Sequence, residues 1–207
     1  MTDMARVAGL DVSRETLGRL EQLGALLAKW NPAINLVAKS TLPEAWTRHI
    51  LDSAQLFRLA PDRVSHWVDL GSGGGFPGLV IAVLASEFDS ARRVTLVESD
   101  QRKATFLRQA AREMGLSNVA VLTDRIEQAA PLAGQVVSAR ALAPLPQLCA
   151  FAQRHLAPGG LALFPKGAKH AEEVAEAGRE WHFDLTVHPS DTDSSAVVLE
   201  LRTIRHV

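Results

Sequence analysis

The stretch VDLGSGGGFPG, residues 68–78, carries the strongest structural signal in this chain of 207 residues. A short apolar run ends at Asp69-Leu70 and breaks into glycines, and Pro77 follows where a helix is expected to begin. Glycines allow a sharp turn and let a ligand approach the backbone with no Cβ in the way, and proline suits the first helical turn. A strand, a glycine turn and a helix N-terminus in this order predict a cradle for a nucleotide-like ligand.

The composition sets limits on the class of protein. With 47% hydrophobic residues the chain can bury a full core, and no apolar run reaches the roughly 18 residues of a membrane helix. A single cysteine, Cys149, excludes an internal disulfide and a cysteine-based zinc site. The seven histidines show no ligand spacing, so we expect no catalytic metal. No signal peptide is evident and the net charge is −1, so we expect a cytoplasmic protein that binds nucleic acid only through a local patch.

From residue 64 onward, predicted strands and helices alternate. This order predicts an α/β fold with a doubly wound, Rossmann-like sheet, mostly parallel with an antiparallel C-terminal strand. We expect an N-terminal helical extension over residues 1–62, packed on a ligand-binding domain over residues 63–207. Strands are predicted near 64–70, 93–98, 119–122, 135–140 and 161–165, with closing strands at 183–187 and 196–204, and helices near 77–87, 100–114, 144–156 and 169–181.

The N-terminal part contains two helix signals. Leucines at helical spacing, with Ser13 or Asp11 as N-cap, predict a first helix that stops at Asn31-Pro32. The TLPE sequence at 41–44 matches a capping box, which predicts the start of a second helix.

Glu98 follows the second predicted strand of the sheet, where its carboxylate is placed to accept hydrogen bonds from both hydroxyls of an adenosine ribose. A NAD fingerprint competes with this interpretation, because residues 73–78 fit G-x-G-x-x-G and the acid lies 98 − 78 = 20 positions farther on. Counted from the strand end at Gly71, however, Phe76 replaces the third glycine, and little chain is left for a substrate domain. The dinucleotide interpretation is therefore the weaker one.

Residues 69–75 match the E/D-x-G-x-G-x-G motif, so the chain from residue 64 resembles the class I S-adenosylmethionine-dependent methyltransferases. Three further segments sharpen the resemblance: WNPAINL at 30–36, RHILDS at 48–53, and SARA at 138–141 together with PKG at 165–167. In combination they closely resemble the bacterial 16S ribosomal RNA small-subunit methyltransferase G family, also called glucose-inhibited division protein B. Arg48 and Asp52 in the second segment are also spaced as an i,i+4 ion pair.

The sequence also limits which kind of atom can accept the methyl group. After the fourth strand the chain has SARALAP, where amino-methylating enzymes carry an Asn/Asp-Pro-Pro-Tyr/Phe box, so an exocyclic amine is disfavoured. Methylation of cytosine C5 needs a cysteine nucleophile. The single cysteine, Cys149, lies in a predicted amphipathic helix, where we expect a buried core residue, so this reaction is disfavoured. A ring nitrogen such as guanine N7 needs no proton removed, so positioning in line with the methyl group suffices.

The resemblance implies methylation of guanine N7 at nucleotide 527, in a 16S ribosomal RNA loop near the decoding site. It implies S-adenosylmethionine as cofactor, no strong general base, and a monomer that acts on the small ribosomal subunit or an assembly intermediate. A methyltransferase for a small molecule or protein, and a non-catalytic ribosome-assembly factor, remain alternatives. The cofactor-binding residues implied are Gly71, Gly73, Gly75, Phe76, Glu98, Ile126, Glu127 and Arg140; the catalytic ones are Arg140, Arg48 and His49; the substrate-binding ones are Arg48, His49, Arg125 and Lys166.

Overall fold

The computed structural model describes residues 5–207. The strands are β1 (Ala5–Val7), β2 (Leu10–Val12), β3 (His66–Leu70), β4 (Arg93–Val97), β5 (Val119–Leu122), β6 (Gly134–Ala139), β7 (Leu156–Lys166), β8 (Trp181–Pro189) and β9 (Val197–His206). The α-helices are α1 (Arg14–Ile34), α2 (Asp52–Leu59), α3 (Gly78–Phe88), α4 (Gln101–Glu113), α5 (Leu145–His155) and α6 (His170–Ala177). A 3₁₀-helix (Lys39–Glu44) and a π-helix (Trp46–Leu51) lie between α1 and α2.

The predicted sheet is confirmed. Seven strands pair in the order β5-β4-β3-β6-β7-β9-β8, and β9 alone among them runs opposite to the others. Successive strands lie outward from β3, first through β4 to β5 and then through β6 to β7. The order reverses beside β3, and a crevice forms at the carboxyl ends of the strands at such a switch point. Within the described residues, no helix is long and apolar enough to cross a membrane.

The N-terminal helices pack on helices α3 and α4 of the α/β fold. Leu20, Leu23 and Leu27 of α1 belong to the same buried cluster as Leu79 of α3 and Phe106 of α4. Removing such side chains from water is the main stabilising contribution to the packing. The division of the chain into residues 1–62 and 63–207 stays a prediction.

The predicted end of the first helix was wrong. Ser13 is the N-cap, as expected, but α1 continues through Pro32 to Ile34, which is buried. Asn35 then adopts a left-handed conformation with φ of 48° and donates its N–H to Asn31 O (3.0 Å). The helix therefore ends at a left-handed cap, and the proline in its last turn does not stop it.

The prediction of a capping box at residues 41–44 was also wrong, and two elements in the C-terminal half have bounds that differ from the predicted ones. Thr41 lies inside the 3₁₀-helix, and its hydroxyl donates to Ala38 O (2.7 Å) instead of capping a longer helix. The helix expected over 169–181 ends at Ala177, because Trp181 is already buried in β8. Strand β7 is longer than predicted, and the hairpin of β1 and β2 was not anticipated.

Candidate functional site

The carboxyl ends of the central strands open on one cavity of about 1730 Å³. One wall, the glycine-turn side, consists of Gly71–Gly74, Glu98 and residues 124–127. The opposite wall, the arginine side, consists of Arg140 and the segment 41–52, which ends at the first residue of α2. Eleven of the twelve predicted site residues line this cavity: Gly71, Gly73, Phe76, Glu98, Ile126, Glu127, Arg140, Arg48, His49, Arg125 and Lys166.

The glycine turn uses left-handed backbone at three positions, Gly71, Gly73 and Gly75, with φ of 65°, 51° and 88°. A Cβ on Gly73 would have only Gly71 O near it, at 3.8 Å, so the backbone there faces open space. A Cβ on Gly75 would instead lie 2.5 Å from Leu79 Cδ1. A ligand therefore fits against Gly73, whereas Gly75 allows the turn to pack on α3 and lies outside the cavity lining.

Glu98 follows β4 directly and is 8% exposed. Its Oε2 accepts the Gly73 N–H and its Oε1 accepts the Asp100 N–H, both at 2.8 Å. A carboxylate has about four acceptor positions, so two remain for the hydroxyls of a ribose. Backbone donors thus hold the side chain at the place where the sequence predicted a ribose contact.

Asp69 lies wholly buried beneath the turn. Its Oδ1 accepts the Ser138 hydroxyl (2.7 Å) and its Oδ2 accepts the Gly78 N–H (3.2 Å). Burial raises the pKa of this carboxyl to about 6, against the lowering effect of those hydrogen bonds. Asp69 therefore ties β3 to β6 and to the start of α3, and it fixes the direction in which the glycine turn leaves the sheet.

Residues 124–127 border the other end of the glycine-turn side. Ile126 is buried, and its carbonyl accepts a hydrogen bond from His155 Nε2 on α5 (2.9 Å). Arg125 and Glu127 form an exposed ion pair at 3.7 Å on the rim. The apolar side chain thus faces the cavity from a fixed backbone, and the two charged groups stay in solvent.

Arg140 follows β6 and reaches across to the segment before α2. Its Nη1 donates to Arg48 O (2.9 Å) and to Asp52 Oδ2 (3.3 Å), and its Nη2 lies 3.0 Å from His49 Nδ1. The guanidinium also lies 5.4 Å from the centroid of the Phe76 ring. These contacts hold Arg140 at the junction of the two walls.

The hydrogen bonds around His49 determine its protonation. A guanidinium has no acceptor, so Nδ1 must accept from Arg140, and Nε2 carries the proton. Nε2 then donates to Thr41 Oγ1 (2.8 Å), whose own proton goes to Ala38 O. Burial, together with the charge of Arg140, lowers the pKa of His49 to about 4. The ring, stacked 5.2 Å from Phe76, is therefore neutral near pH 7 with both nitrogens occupied.

The ion pair expected between Arg48 and Asp52 does not form. Arg48 pairs with Glu44 at 3.5 Å, and Asp52 pairs with Arg140 at 3.3 Å. The π-helix over Trp46–Leu51 changes the angular spacing of these residues from that of an α-helix. Asp52 is consequently free to bind the more buried arginine.

Asp52 also joins the arginine side to the connection between β8 and β9. Its Oδ1 accepts the Thr192 hydroxyl (3.1 Å) and Gln55 Nε2 (2.9 Å). Gln55 Oε1 in turn accepts the Asp191 N–H (2.9 Å). One carboxylate thus links Arg140, α2 and the C-terminal strands.

Lys166 ends β7 and is almost buried, with a 10% exposed side chain. Its Nζ donates to Ala143 O (2.9 Å) and to Glu173 Oε2 (2.6 Å). The same Oε2 accepts the Leu145 N–H (2.9 Å). Lys166 lines the cavity as predicted, but as half of an ion pair instead of a free cation.

The sequence missed several residues of this site. Asp52 was predicted to pair with Arg48, and Thr41 was predicted to cap a helix. Nothing in the sequence spacing indicated the contacts that they make instead, Asp52 with Arg140 and Thr41 with His49. Cys149 is buried, and burial raises the pKa of its thiol to about 12, in line with a core residue. Over residues 5–207, no group of three or more metal-ligating side chains is placed to hold an ion; the absence of a metal stays a prediction. The missed residues are Thr41, Asp52, Thr192 and Glu173.

Comparison with known proteins identifies the family. The protein-family model described as rRNA small subunit methyltransferase G matches residues 16–197 of this chain. The ribosomal RNA small subunit methyltransferase G of Cereibacter sphaeroides is 55% identical over 206 residues, covering 99% of each chain, and that of a Ruegeria species is 50% identical over 198 residues, covering 96% of each. The crystal structure of a Geobacter sulfurreducens methyltransferase shares the fold, with a TM-score of 0.57 at 17% identity over 93% of this chain and 92% of that one. The chain belongs to the rRNA small subunit methyltransferase G family.

Proposed function

We propose that this chain transfers the methyl group of S-adenosylmethionine to N7 of a guanine in 16S ribosomal RNA, nucleotide 527. Family membership makes it an S-adenosylmethionine-dependent rRNA methyltransferase; the acceptor atom, the nucleotide and the residue roles are our proposal. One observation carries it: a ribose-type cradle and a hydrogen-bonded cluster around Arg140 meet at a single cavity.

The glycine-turn side holds the cofactor. Gly71 and Gly73 bring backbone against its methionine and ribose part, Glu98 accepts the two ribose hydroxyls, and Ile126 with Glu127 borders the adenine. The open space over Gly73 and the spare acceptor positions of Glu98 fit this ligand. When bound, the cofactor supplies a methyl group on a sulfonium centre.

The arginine side positions the acceptor. Guanine N7 attacks through its own lone pair, so no proton has to leave before methyl transfer, and geometry dominates the rate. His49 has both ring nitrogens hydrogen-bonded, which suits a group that orients Arg140 and does not move a proton. Three of the five N–H donors of Arg140 are used, and the others remain for substrate.

The expected partner is the small ribosomal subunit or an assembly intermediate, bound by a monomer in the cytoplasm. Arg48 on one wall and Arg125 on the other have exposed side chains, 55% and 67%, that can reach phosphates. Arg48 pairs with Glu44 and Arg125 with Glu127, and the net charge of the chain is −1. We therefore expect a folded particle to be methylated better than naked RNA.

The test is methyl transfer from labelled cofactor to small subunits, free RNA and total protein. We expect label in small subunits, and 7-methylguanosine at nucleotide 527 by mass spectrometry of the digested RNA. Label in protein alone contradicts the proposed substrate, and no label in any fraction contradicts the proposed activity.

A further inference from the structure

The ion pair of Lys166 and Glu173 also lines the cavity, and it is linked to the loop that covers the glycine turn. A Cβ on Gly71 would lie 2.5 Å from Leu142 Cδ1, so Leu142 packs over the turn. The next residue, Ala143, accepts the Lys166 ammonium through its carbonyl. Lys166 thus contacts the residue next to Leu142, and both Lys166 and Glu173 line the cavity.

The pair presents a fixed donor beside a fixed acceptor. Lys166 uses two of its three N–H donors, on Ala143 O and Glu173 Oε2. The Leu145 N–H also binds Oε2, so this oxygen is fully engaged. Across residues 5–207, no group donates a hydrogen bond to Glu173 Oε1, and the Glu173 side chain lines the cavity and is 27% exposed.

We infer that Lys166 and Glu173 read the acceptor base as guanine, an inference that rests on the proposed function. Lys166 donates its third proton to O6, and Glu173 Oε1 accepts the N1 proton and the 2-amino group. Guanine carries O6 and N7 on the same edge, so a base with N7 turned to the methyl group has O6 close by. Adenine places a donor where guanine has O6 and an acceptor at N1, so it meets each member of the pair with the wrong polarity.

The chemistry of the pair disfavours the phosphate contact that the sequence suggested for Lys166. An anion would have to approach the ammonium beside the Glu173 carboxylate, only 2.6 Å away, and would be repelled by it. A neutral base that offers an acceptor next to a donor matches both groups without separating them. A site built to pair both groups rejects analogues that leave one unpaired.

The test uses small subunits reconstituted with guanine or 2-aminopurine at the methylated position. 2-Aminopurine keeps N7 but lacks O6 and the N1 proton. We expect this exchange to lower kcat/KM of the wild-type enzyme about 100-fold, and that of Glu173→Gln or Lys166→Met by about 10-fold or less, because each variant has already lost one contact. On guanine the two variants are themselves about 10-fold slower.

Matched controls separate base readout from damage to the fold. Glu172→Gln and Lys169→Met change neighbouring exposed side chains that do not line the cavity, and both should keep the wild-type 2-aminopurine penalty. In Glu173→Gln the new amide oxygen can still accept the Leu145 N–H, and calorimetry should show unchanged cofactor affinity. An equal penalty in Glu173→Gln and wild type overturns the base readout. Failure of the wild type to methylate the guanine substrate overturns the proposed function instead.

Discussion

The two walls of the cavity are built in different ways. The glycine-turn side comes from residues 71–74, Glu98 and residues 124–127, and the backbone N–H groups of Gly73 and Asp100 hold the Glu98 carboxylate in place. The arginine side is assembled from side chains of separate segments that meet only around Arg140. We expect the wall made largely of backbone to bind the cofactor in a fixed pose, and the wall made of side chains to be fitted to a particular acceptor.

The difference predicts that variants on the two walls have separable effects. Changes on the glycine-turn side should weaken cofactor binding, and changes on the arginine side should slow methyl transfer. Variants on either wall that weaken cofactor binding and slow methyl transfer to the same extent would contradict this expectation.

The largest effect on the glycine-turn side is expected for Glu98→Ala. Loss of two hydrogen bonds to a charged acceptor, each worth about 1.5 kcal/mol or more, should weaken S-adenosylmethionine binding about 100-fold. Isothermal calorimetry measures this directly, with a thermal unfolding scan as the control, because Glu98 also binds the Gly73 N–H. Wild-type affinity in a folded variant would remove Glu98 from the cofactor site.

Gly73→Ala tests whether a ligand occupies the space over this glycine. The backbone strain that alanine causes at a positive φ has to be measured separately. At φ of 51° an alanine costs about 1 kcal/mol of folding free energy, and its Cβ enters the open space of the cavity. Gly115→Ala is the matched control, with φ of 66° and nothing within 4 Å of the added Cβ.

Both variants should lose similar stability in urea unfolding. Only Gly73→Ala should also bind the cofactor about 10-fold more weakly, a loss of about 1.4 kcal/mol. Equal cofactor affinity in the two alanine variants would mean that the space over Gly73 is not used.

The smallest effects concern the pH dependence of stability, where Asp69 beneath the glycine turn and His49 on the arginine side should contribute with opposite signs. The pKa of Asp69 is raised to about 6, so the folded state holds a proton that the unfolded chain has released, and the free energy of unfolding falls as pH rises from about 4 to 6. The pKa of His49 is lowered to about 4, so the unfolded chain binds the extra proton, and the free energy of unfolding rises from about pH 4 to 6.5.

Urea unfolding at several pH values between about 4 and 7 tests this. Asp69→Asn should make the slope of the unfolding free energy against pH more positive, and His49→Asn should make it less positive. Slope changes of the same sign in both variants would contradict the assigned protonation states.

Local patterns explain what the sequence could predict. The glycine turn, Pro77 and Glu98 each carry their signal within a few residues, and the alternation of strands and helices then fixes where the strand ends meet. The sheet and the glycine-turn side of the cavity could therefore be predicted from the sequence alone, while the role of that side in cofactor binding stays a prediction.

The arginine side could not be placed in this way. Thr41 and Asp52 matched familiar helical patterns, but the 3₁₀- and π-helices around them alter the spacing on which those patterns depend. Thr192 contacts Asp52 across 140 residues of chain, and only the folded structure shows this contact. The same holds for Pro32, because burial of the last helical turn prevails over the local preference to stop.

The central claim is that the two walls divide cofactor binding from acceptor positioning, and Arg140→Ala tests it most directly. Cofactor affinity by calorimetry and the methyl-transfer rate to small subunits at saturating cofactor are measured on the same preparation. We predict an affinity within about threefold of wild type and a transfer rate lowered about 100-fold, since a small misplacement of the acceptor has an effect of that size. An equal loss of both would contradict the division and would make Arg140 a cofactor-binding residue only.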